Sequence, residues 1–319
     1  MAMANAAGAL ERKSVLFIVD IDFRADTERY RQAGLSSLKD YHANRFLYDP
    51  IKLAQVALAP AYCSLVLLKS AKMVKDFGRG ASHVRNFYNT AHSAQHVIAA
   101  DDLERKLERL GDTTRPLSLV YFGRLVLYKG VDRTIRAFHE ARRRSGRALE
   151  LHLVGGGEQR AALERLAAEL GEADSVRFHG GLPFGPQLFE LLRTFDVSIA
   201  TPLVEDTPRA AFDSLAAGLP ILAFDIQYYL DLADGSGAVT TSPWEDVDSL
   251  ATKIIELDRD RALLAAQARR GADFARENTA EIWLDRRVAW TLETLGAEVA
   301  SLPRKGRRAR SALSSSSSK

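Results

Sequence analysis

The sequence predicts an α/β protein whose C-terminal two thirds contain a parallel β-sheet covered by helices on both faces. Short apolar segments alternate with longer segments whose apolar residues recur at helical spacing, as in 117–122 followed by 131–145. Apolar segments also end at glycine, at Gly123 and at 155–157. Strands that alternate with helices are joined by crossovers, which place the helices against the sheet. We therefore expect a Rossmann-like domain in this part of the chain.

The same alternation predicts the remaining elements of this domain. Further strands are expected at 149–154, 175–179, 196–200, 220–224 and 238–241. Further helices are expected near 158–170, 186–194, 208–217, 246–257, 260–277 and 280–298.

The N-terminal part is less regular and predicts a smaller α/β unit. Its apolar segments predict strands at 15–19, 64–68 and 84–88. Residues 26–58 are predicted to be helical with an interruption at Asp49-Pro50, and 70–77 to form another helix. The predicted organisation is a disordered segment 1–14, a partial first domain 15–115, a Rossmann-like domain 116–279, a helix 280–300 and a disordered tail 301–319.

Composition limits the class of protein. The 319 residues are 46% hydrophobic and 27% charged, as in soluble globular proteins of one or two domains. Cys63 is the one cysteine, which excludes a disulfide framework and a cysteine-rich metal site and fits a cytoplasmic setting. No apolar run reaches the roughly 18 residues that cross a bilayer.

The positive charge is concentrated at the C-terminus. Six cations and no acids follow Leu302, so the net charge of +3 leaves a value of −3 for the remainder. Such a tail is either a disordered end or a segment that contacts anionic lipid and places the protein peripherally on a membrane. The folded part shows no platform of aromatic and basic residues, and we expect no nucleic-acid partner.

The most informative segment is a loop, a helix and a stop at 204–220. Thr207 is predicted to cap the helix and Pro208 to occupy its first turn, while Gly218 ends it. A helix N-terminus offers free amides and partial positive charge to a phosphate. The carboxylates of Glu205 and Asp213 can accept hydrogen bonds from sugar hydroxyls, although Glu205 alone could simply complement the helix dipole. Together they suit a nucleotide-sugar.

Two glycine-containing turns follow predicted strands. Gly123-Arg124 and Lys129 place two cations at a strand end, where they are either a phosphate site or a surface ion-pair site. The glycines at 155–157 do not match the spacing of a dinucleotide fingerprint. They form either a tight turn or a close approach to a base.

The sequence gives little support for a metal site or for a nucleophilic catalytic residue. The seven histidines show no ligand pattern, since His92 and His96 lack a third ligand at useful spacing. No Gly-x-Ser-x-Gly elbow is present.

The ordered motifs resemble those of the nucleotide-binding half of the family-4 glycosyltransferases, which are retaining enzymes of the GT-B architecture. The resemblance covers about 117–258. It rests on Phe122-Gly123-Arg124, Lys129-Gly130-Val131, 153–157, 176–180, 196–202, Glu205 and 216–220.

This resemblance implies two Rossmann-like domains, with the donor bound in the second and the acceptor largely in the first. Gly123, Arg124 and Lys129 would bind the donor diphosphate. The segment of Thr207, Pro208 and Arg209 would also bind it, and the backbone amides near these residues would hold sugar and phosphate. Glu205 would face the transferred sugar as the catalytic residue, and the nucleoside would lie against Asp213, Gly155 and Gly156. Enzymes of this architecture generally need neither a metal nor another cofactor, because such cations stabilise the leaving diphosphate.

The sequence departs from the family in two places. Asp213 stands where the family has a glutamate, and the first domain is short and lacks the family's histidine motif. One hypothesis is a retaining hexosyltransferase that acts on a saccharide or lipid-linked acceptor in cell-surface polysaccharide or glycolipid biosynthesis. The alternative is a non-catalytic or partner-dependent nucleotide-sugar-binding protein, completed by a membrane surface or a partner chain. A sugar-nucleotide epimerase is a remote third.

Overall fold

The computed structural model describes the backbone of residues 14–301 and the side chains of 14–296. The predicted disordered N-terminal segment and the basic, serine-ending tail lie outside the described residues, except for their boundary residues Ser14 and Ser301.

The first unit is a three-stranded parallel sheet with four helices. Its elements are β1 (Leu16–Val19), α1 (Asp26–Gln32), α2 (Leu38–Ala43), α3 (Asp49–Tyr62), β2 (Leu65–Leu68), α4 (Ala71–Phe77) and β3 (Val84–Asn86). The strand order is β1-β2-β3, with all pairs parallel. The central strand β2 is buried along its whole length, because helices and flanking strands cover it.

The predicted interruption at Asp49-Pro50 was wrong. A π-helical turn at Asn44–Tyr48 joins α2 to α3, so the chain stays helical through this point. Pro50 lies in the first turn of α3, where its missing amide hydrogen removes no intrahelical bond. The actual break separates α1 from α2, where Gly34 has a φ of 70°.

The second unit is a six-stranded parallel sheet with helices on both faces. Its elements are α5 (Ala100–Gly111), β4 (Leu117–Phe122), α6 (Val131–Ser145), β5 (Leu149–Val154), α7 (Arg160–Glu169), β6 (Val176–Gly180), α8 (Pro186–Leu192), β7 (Val197–Ala200), α9 (Arg209–Ala216), β8 (Ile221–Phe224), α10 (Gln227–Ser236), β9 (Val239–Ser242), α11 (Val247–Arg259) and α12 (Arg261–Arg276). The strand order is β6-β5-β4-β7-β8-β9. The expected strands are all present, whereas α5 and α10 were not predicted.

Alternation along β4 places side chains in two separate cores. Leu119 packs on one face of the sheet with Ile135 and Phe138 of α6. Val120 packs on the other face with Phe212 of α9. Because successive strand residues point to opposite faces, a fully covered sheet needs a continuous apolar strand of this kind.

The last helix, α13 (Ala280–Ser301), returns to the first unit. Its Trp283 is buried with Leu65 and Leu67 of β2 and with Phe87. This packing joins the two units, because α13 follows the second unit in the chain. Within the described residues, none of the helices combines the length and the apolar character that crossing a bilayer requires.

Candidate functional site

The strand order reverses between β4 and β7, and this is where ligands bind in open parallel sheets. At the carboxyl ends of these strands lies a small pocket of about 60 Å³. Gly123 and Lys129 line it from the β4 side, and Asp206 and Pro208 line it from the segment that leads into α9. Of the residues predicted to bind the diphosphate, Gly123, Lys129 and Pro208 thus line this pocket, whereas Arg124, Thr207 and Arg209 are not among its lining residues.

The start of α9 differs from the prediction. The helix begins at Arg209 after an extended Pro208, so Thr207 is not the capping residue and Pro208 precedes the first turn. The Thr207 hydroxyl instead accepts a hydrogen bond of 3.0 Å from Nζ of Lys69. No side chain of the described residues caps α9, and the amides at its start keep their capacity to bind an anion.

Glu205 is buried where the two units meet, with 4% of its surface exposed. Its carboxylate forms an ion pair with Arg29 of α1 and accepts a hydrogen bond of 3.2 Å from the Gln227 amide. The Glu205 amide donates to Oδ1 of Asp26 at 3.0 Å. Burial raises the pKa of Glu205 to about 7, and the Arg29 guanidinium opposes that rise.

Glu205 also lines an open cleft of about 310 Å³ between the units. The other polar side chains of this cleft come from both units: Asp22, Arg24, Arg29, Lys72, Asp225 and Gln227. The Arg29 guanidinium lies over the Trp244 ring, with its Cζ atom 5.7 Å from the ring centroid. Carboxylates, guanidinium groups and amides in an open cleft suit a polyhydroxylated ligand, because they supply both acceptors and donors.

Sequence reasoning missed Arg29, Asp26 and Gln227. Arg29 lies 176 residues before its partner Glu205, and no local pattern reveals a pairing across two units. Gln227 does carry a signal, because it opens α10 directly after β8 and therefore lies at the ligand-binding edge of the sheet.

The two predicted phosphate-binding cations lie on one loop but have different surroundings. Lys129 forms an ion pair with Asp206 at the pocket. Arg124 is exposed and bonds the Tyr128 hydroxyl, above whose ring its guanidinium lies at 5.8 Å. A phosphate that enters the pocket therefore competes with Asp206 for Lys129, whereas Arg124 has no acidic partner among the described residues.

The 155–157 turn is required by backbone packing. A Cβ at Gly155 would lie 1.8 Å from the Gly123 carbonyl oxygen, and one at Gly157 would lie 2.3 Å from that of Leu125. The amide of Leu125 donates to the carbonyl of Gly156 at 2.9 Å. These contacts favour the tight-turn interpretation for Gly155 and Gly157. Gly156 is open, and its contact with a nucleoside stays a prediction.

Asp213 lies in α9 with 4% of its surface exposed. Its Oδ1 atom is buried without a hydrogen-bond partner in the described part of the chain. Burial raises the pKa of Asp213 to about 7, while Arg209 one turn earlier lowers it. A buried carboxylate without a hydrogen-bond partner lowers the stability of the folded protein. Such groups are typical of functional positions.

Replacing Asp213 with asparagine should stabilise the protein at alkaline pH. The folded-state pKa lies above the ordinary value of 3.8, so the native state loses stability as the pH rises from 3.8 to about 7, and the loss persists at higher pH. We expect Asp213→Asn to raise Tm by a few °C at about pH 8 and to change it little near pH 4. Calorimetric melting at both pH values measures this. A lower Tm at pH 8 would contradict the account of Asp213 as a strained carboxylate.

The histidines considered as metal ligands have structural partners. Nε2 of His92 bonds the Ala275 carbonyl at 2.8 Å, and Nδ1 of His96 accepts from the Ser93 amide at 3.0 Å. Across the residues that the structure describes, no three potential His, Cys, Asp or Glu ligands come together.

The family model described as "Glycosyl transferases group 1" matches residues 103–274. A GDP-mannose-dependent alpha-(1-6)-phosphatidylinositol monomannoside mannosyltransferase of Mycolicibacterium smegmatis is 31% identical over 218 residues, which are 66% of this chain and 54% of the relative. A 2-deoxystreptamine glucosyltransferase of Streptomyces kanamyceticus is 29% identical over 181 residues, 55% of this chain and 45% of the relative. The chain spans about half the length of these curated relatives.

Among solved structures, HepE of Anabaena in complex with UDP superposes with a TM-score of 0.65 and 19% identity. The match covers 92% of this chain and 77% of that one. At this identity the likeness concerns the fold, and it confirms the predicted α/β, GT-B-like architecture.

Proposed function

Because this chain belongs to the group 1 glycosyl transferases, we propose that it moves a hexose from a nucleoside diphosphate to a hydroxyl group of a saccharide or lipid-linked acceptor. The observation that carries the proposal is the meeting of three features at one sheet edge. These are the buried acid Glu205, the cation Lys129 and the uncapped start of α9.

The donor diphosphate would bind between the 123–129 loop and α9. When the bond from C1 of the sugar to the phosphate oxygen breaks, both electrons leave with the diphosphate, and its negative charge grows. Arg124, Lys129 and the free amides at the start of α9 would stabilise that charge, as preorganised cations and dipoles do. The acceptor oxygen forms the new bond to C1, and its proton leaves with the diphosphate. These residues would supply the positive charge that a bound metal ion supplies in other enzymes.

Glu205 would face the transferred sugar and bind its hydroxyl groups. An anionic carboxylate also stabilises the positive charge that develops at C1 during departure of the leaving group. The open cleft beside Glu205 would admit the acceptor. We propose retention of configuration on the resemblance of the motifs, with the acceptor approaching from the leaving-group side, and a nucleoside position near Asp213 and Gly156.

A screen of nucleotide-sugars by thermal shift, followed by a transfer assay, tests this function. GDP-mannose and UDP-glucose belong in the first set, since the mannosyltransferase relative is named for GDP-mannose. At a concentration of 100 times Kd, a true donor stabilises the folded state by about 2.7 kcal/mol. Binding without transfer to any acceptor would favour the non-catalytic or partner-dependent alternative. Absence of stabilisation by every nucleoside diphosphate sugar would contradict the proposal.

We further propose that the protein acts at a membrane surface, where a lipid-linked acceptor would lie. The helices α2 and α3 and the π-helical turn between them expose apolar side chains, with Phe46 72%, Leu47 54% and Tyr48 51% accessible. Arg45 adds a cation beside them. Exposed apolar side chains flanked by cations are typical of helices that lie in a bilayer interface.

Sedimentation with anionic vesicles tests whether the protein binds a membrane surface. We expect binding that falls as salt rises, because exposed charges are screened over about 8 Å at physiological ionic strength. A variant ending at Leu302, which lacks the six tail cations, should bind more weakly. The double change Phe46→Ser and Leu47→Ser tests the apolar part, with Leu263→Ser on α12 as a control at another exposed position. A monodisperse monomer that ignores vesicles would contradict the membrane proposal.

A further inference from the structure

Lys69 at the carboxyl end of β2 is a buried cation without an acidic partner. Only 7% of its surface is exposed. Its ammonium donates one hydrogen bond, of 3.0 Å, to the Thr207 hydroxyl. Among the described residues, no carboxylate lies within the 4.0 Å of an ion pair with Lys69. Two of its three ammonium hydrogens are therefore left without a partner there.

The surroundings of Lys69 compensate its charge only in part. Asp20 and Asp206 attract the ammonium, whereas Arg209 and Arg287 repel it, and burial lowers the pKa of the side chain. A buried charge is expensive unless it is paired and hydrogen-bonded. The presence of a lysine at this position therefore points to an anion that binds there.

Lys69 approaches the segment that leads into α9 from the first unit. Thr207, its partner, directly follows Asp206, which is paired with Lys129 of the second unit. Lys69 and Lys129 therefore hold neighbouring residues of one short segment. An anion placed at the uncapped start of α9 would lie within reach of both cations and of the helix amides.

We propose that Lys69 binds the diphosphate of the donor and so supplies, from the first unit, a third cation for the phosphate site. The proposal rests on the function proposed above and deepens it. Its consequence is that the donor bridges the two units, because Arg124 and Lys129 belong to the second. Lys69 would stabilise both the bound diphosphate and the charge that develops on it during transfer.

A purely structural role would make Lys69 a hydrogen-bond donor that holds Thr207 across the cleft. The two roles predict opposite effects of Lys69→Met on the free protein. Methionine has a similar length and no charge, so it removes the desolvation cost of the ammonium. A binding role predicts an unchanged or higher Tm without nucleotide, whereas a structural role predicts a lower one.

Calorimetry on the full chain with UDP, GDP and ADP, and with the matching monophosphates, tests the proposal. We expect Lys69→Met to weaken diphosphate binding about 10-fold or more, the effect of losing a charged hydrogen bond, and to weaken monophosphate binding less. Lys69→Arg, which keeps the charge, should lose less affinity. Lys75→Met, at an exposed lysine of α4, is the matched control and should bind as the wild type.

The outcomes separate this proposal from the one on which it rests. If the wild type binds none of the three diphosphates, the proposed function fails, and the role of Lys69 fails with it. If the wild type binds and Lys69→Met binds equally well, only the role of Lys69 is overturned. A lower Tm together with equal losses for monophosphate and diphosphate would also overturn it, in favour of the structural role.

Discussion

Glu205→Gln is expected to lower kcat by about 100-fold or more, with diphosphate affinity nearly unchanged. Glutamine keeps the size of the side chain and removes its negative charge. The variant loses the anion that would face the developing positive charge at C1. It also leaves the partly buried Arg29 guanidinium without its partner. Steady-state kinetics with the donor found in the screen, beside calorimetry with its diphosphate, measure the two effects separately.

The pH profile gives this prediction a second readout. The pKa of Glu205 is raised to about 7 by burial, so the carboxylate form gains as the pH rises through neutrality. We expect the kcat of the wild type to rise over about pH 6 to 8, with this acidic limb absent from Glu205→Gln. Arg29→Met should move the limb to higher pH, because Arg29 lowers the pKa of Glu205. The groups that face Glu205 across the cleft are Asp22, Arg24, Asp26, Arg29, Lys72 and Asp225.

Asp225→Asn is the matched control for Glu205→Gln, because it removes another carboxylate of the same cleft. A kcat that falls equally in both variants would assign the effect to the charge of the cleft and not to Glu205. An unchanged kcat in Glu205→Gln would contradict the catalytic role.

Arg124→Ala and Lys129→Ala are each expected to weaken diphosphate binding by about 1.5–3 kcal/mol. The loss should be larger for Lys129, because its removal leaves Asp206 facing the phosphates without a counter-ion. Asp206→Asn should strengthen binding, since it frees Lys129 from its present partner. Calorimetric titration with UDP and GDP measures all three variants. Lys253→Ala on α11 is the control, because Lys253 pairs with Glu256 along the surface of that helix.

Unchanged diphosphate affinity in both Arg124→Ala and Lys129→Ala would refute the assignment of the phosphate site. A gain in affinity in Lys129→Ala would show instead that the Lys129–Asp206 pair closes the pocket against the ligand.

The alternation of strands and helices was predictable because the strands of a sheet covered on both faces are apolar along their whole length, and such segments are visible in the sequence. Helix α5 was missed although Leu103, Leu107 and Leu110 recur at helical spacing and are all buried. The capping role of Thr207 was wrong for a different reason. Local propensity favours a threonine cap, but here the hydroxyl binds Lys69 from another unit.

The candidate site was predictable on the second unit and not across the cleft. Gly123, Lys129, Glu205 and Thr207 lie near strand ends or helix starts, where local patterns place binding groups. The Arg29 partner of Glu205 and the Lys69 partner of Thr207 depend on how the two units pack. That packing includes the contact of the buried Trp283 of α13 with β2, which no local pattern shows.

The central claim is sugar transfer through the cleft that joins Glu205 to the phosphate site. A radiolabelled-sugar transfer assay, with the donor identified by thermal shift and with membranes as the source of acceptor, tests it most directly. We expect labelled product from the wild type, about 100-fold less from Glu205→Gln, and near wild-type amounts from Lys253→Ala. Labelled product formed equally by the wild type and Glu205→Gln, or no product from a donor that binds tightly, would contradict it.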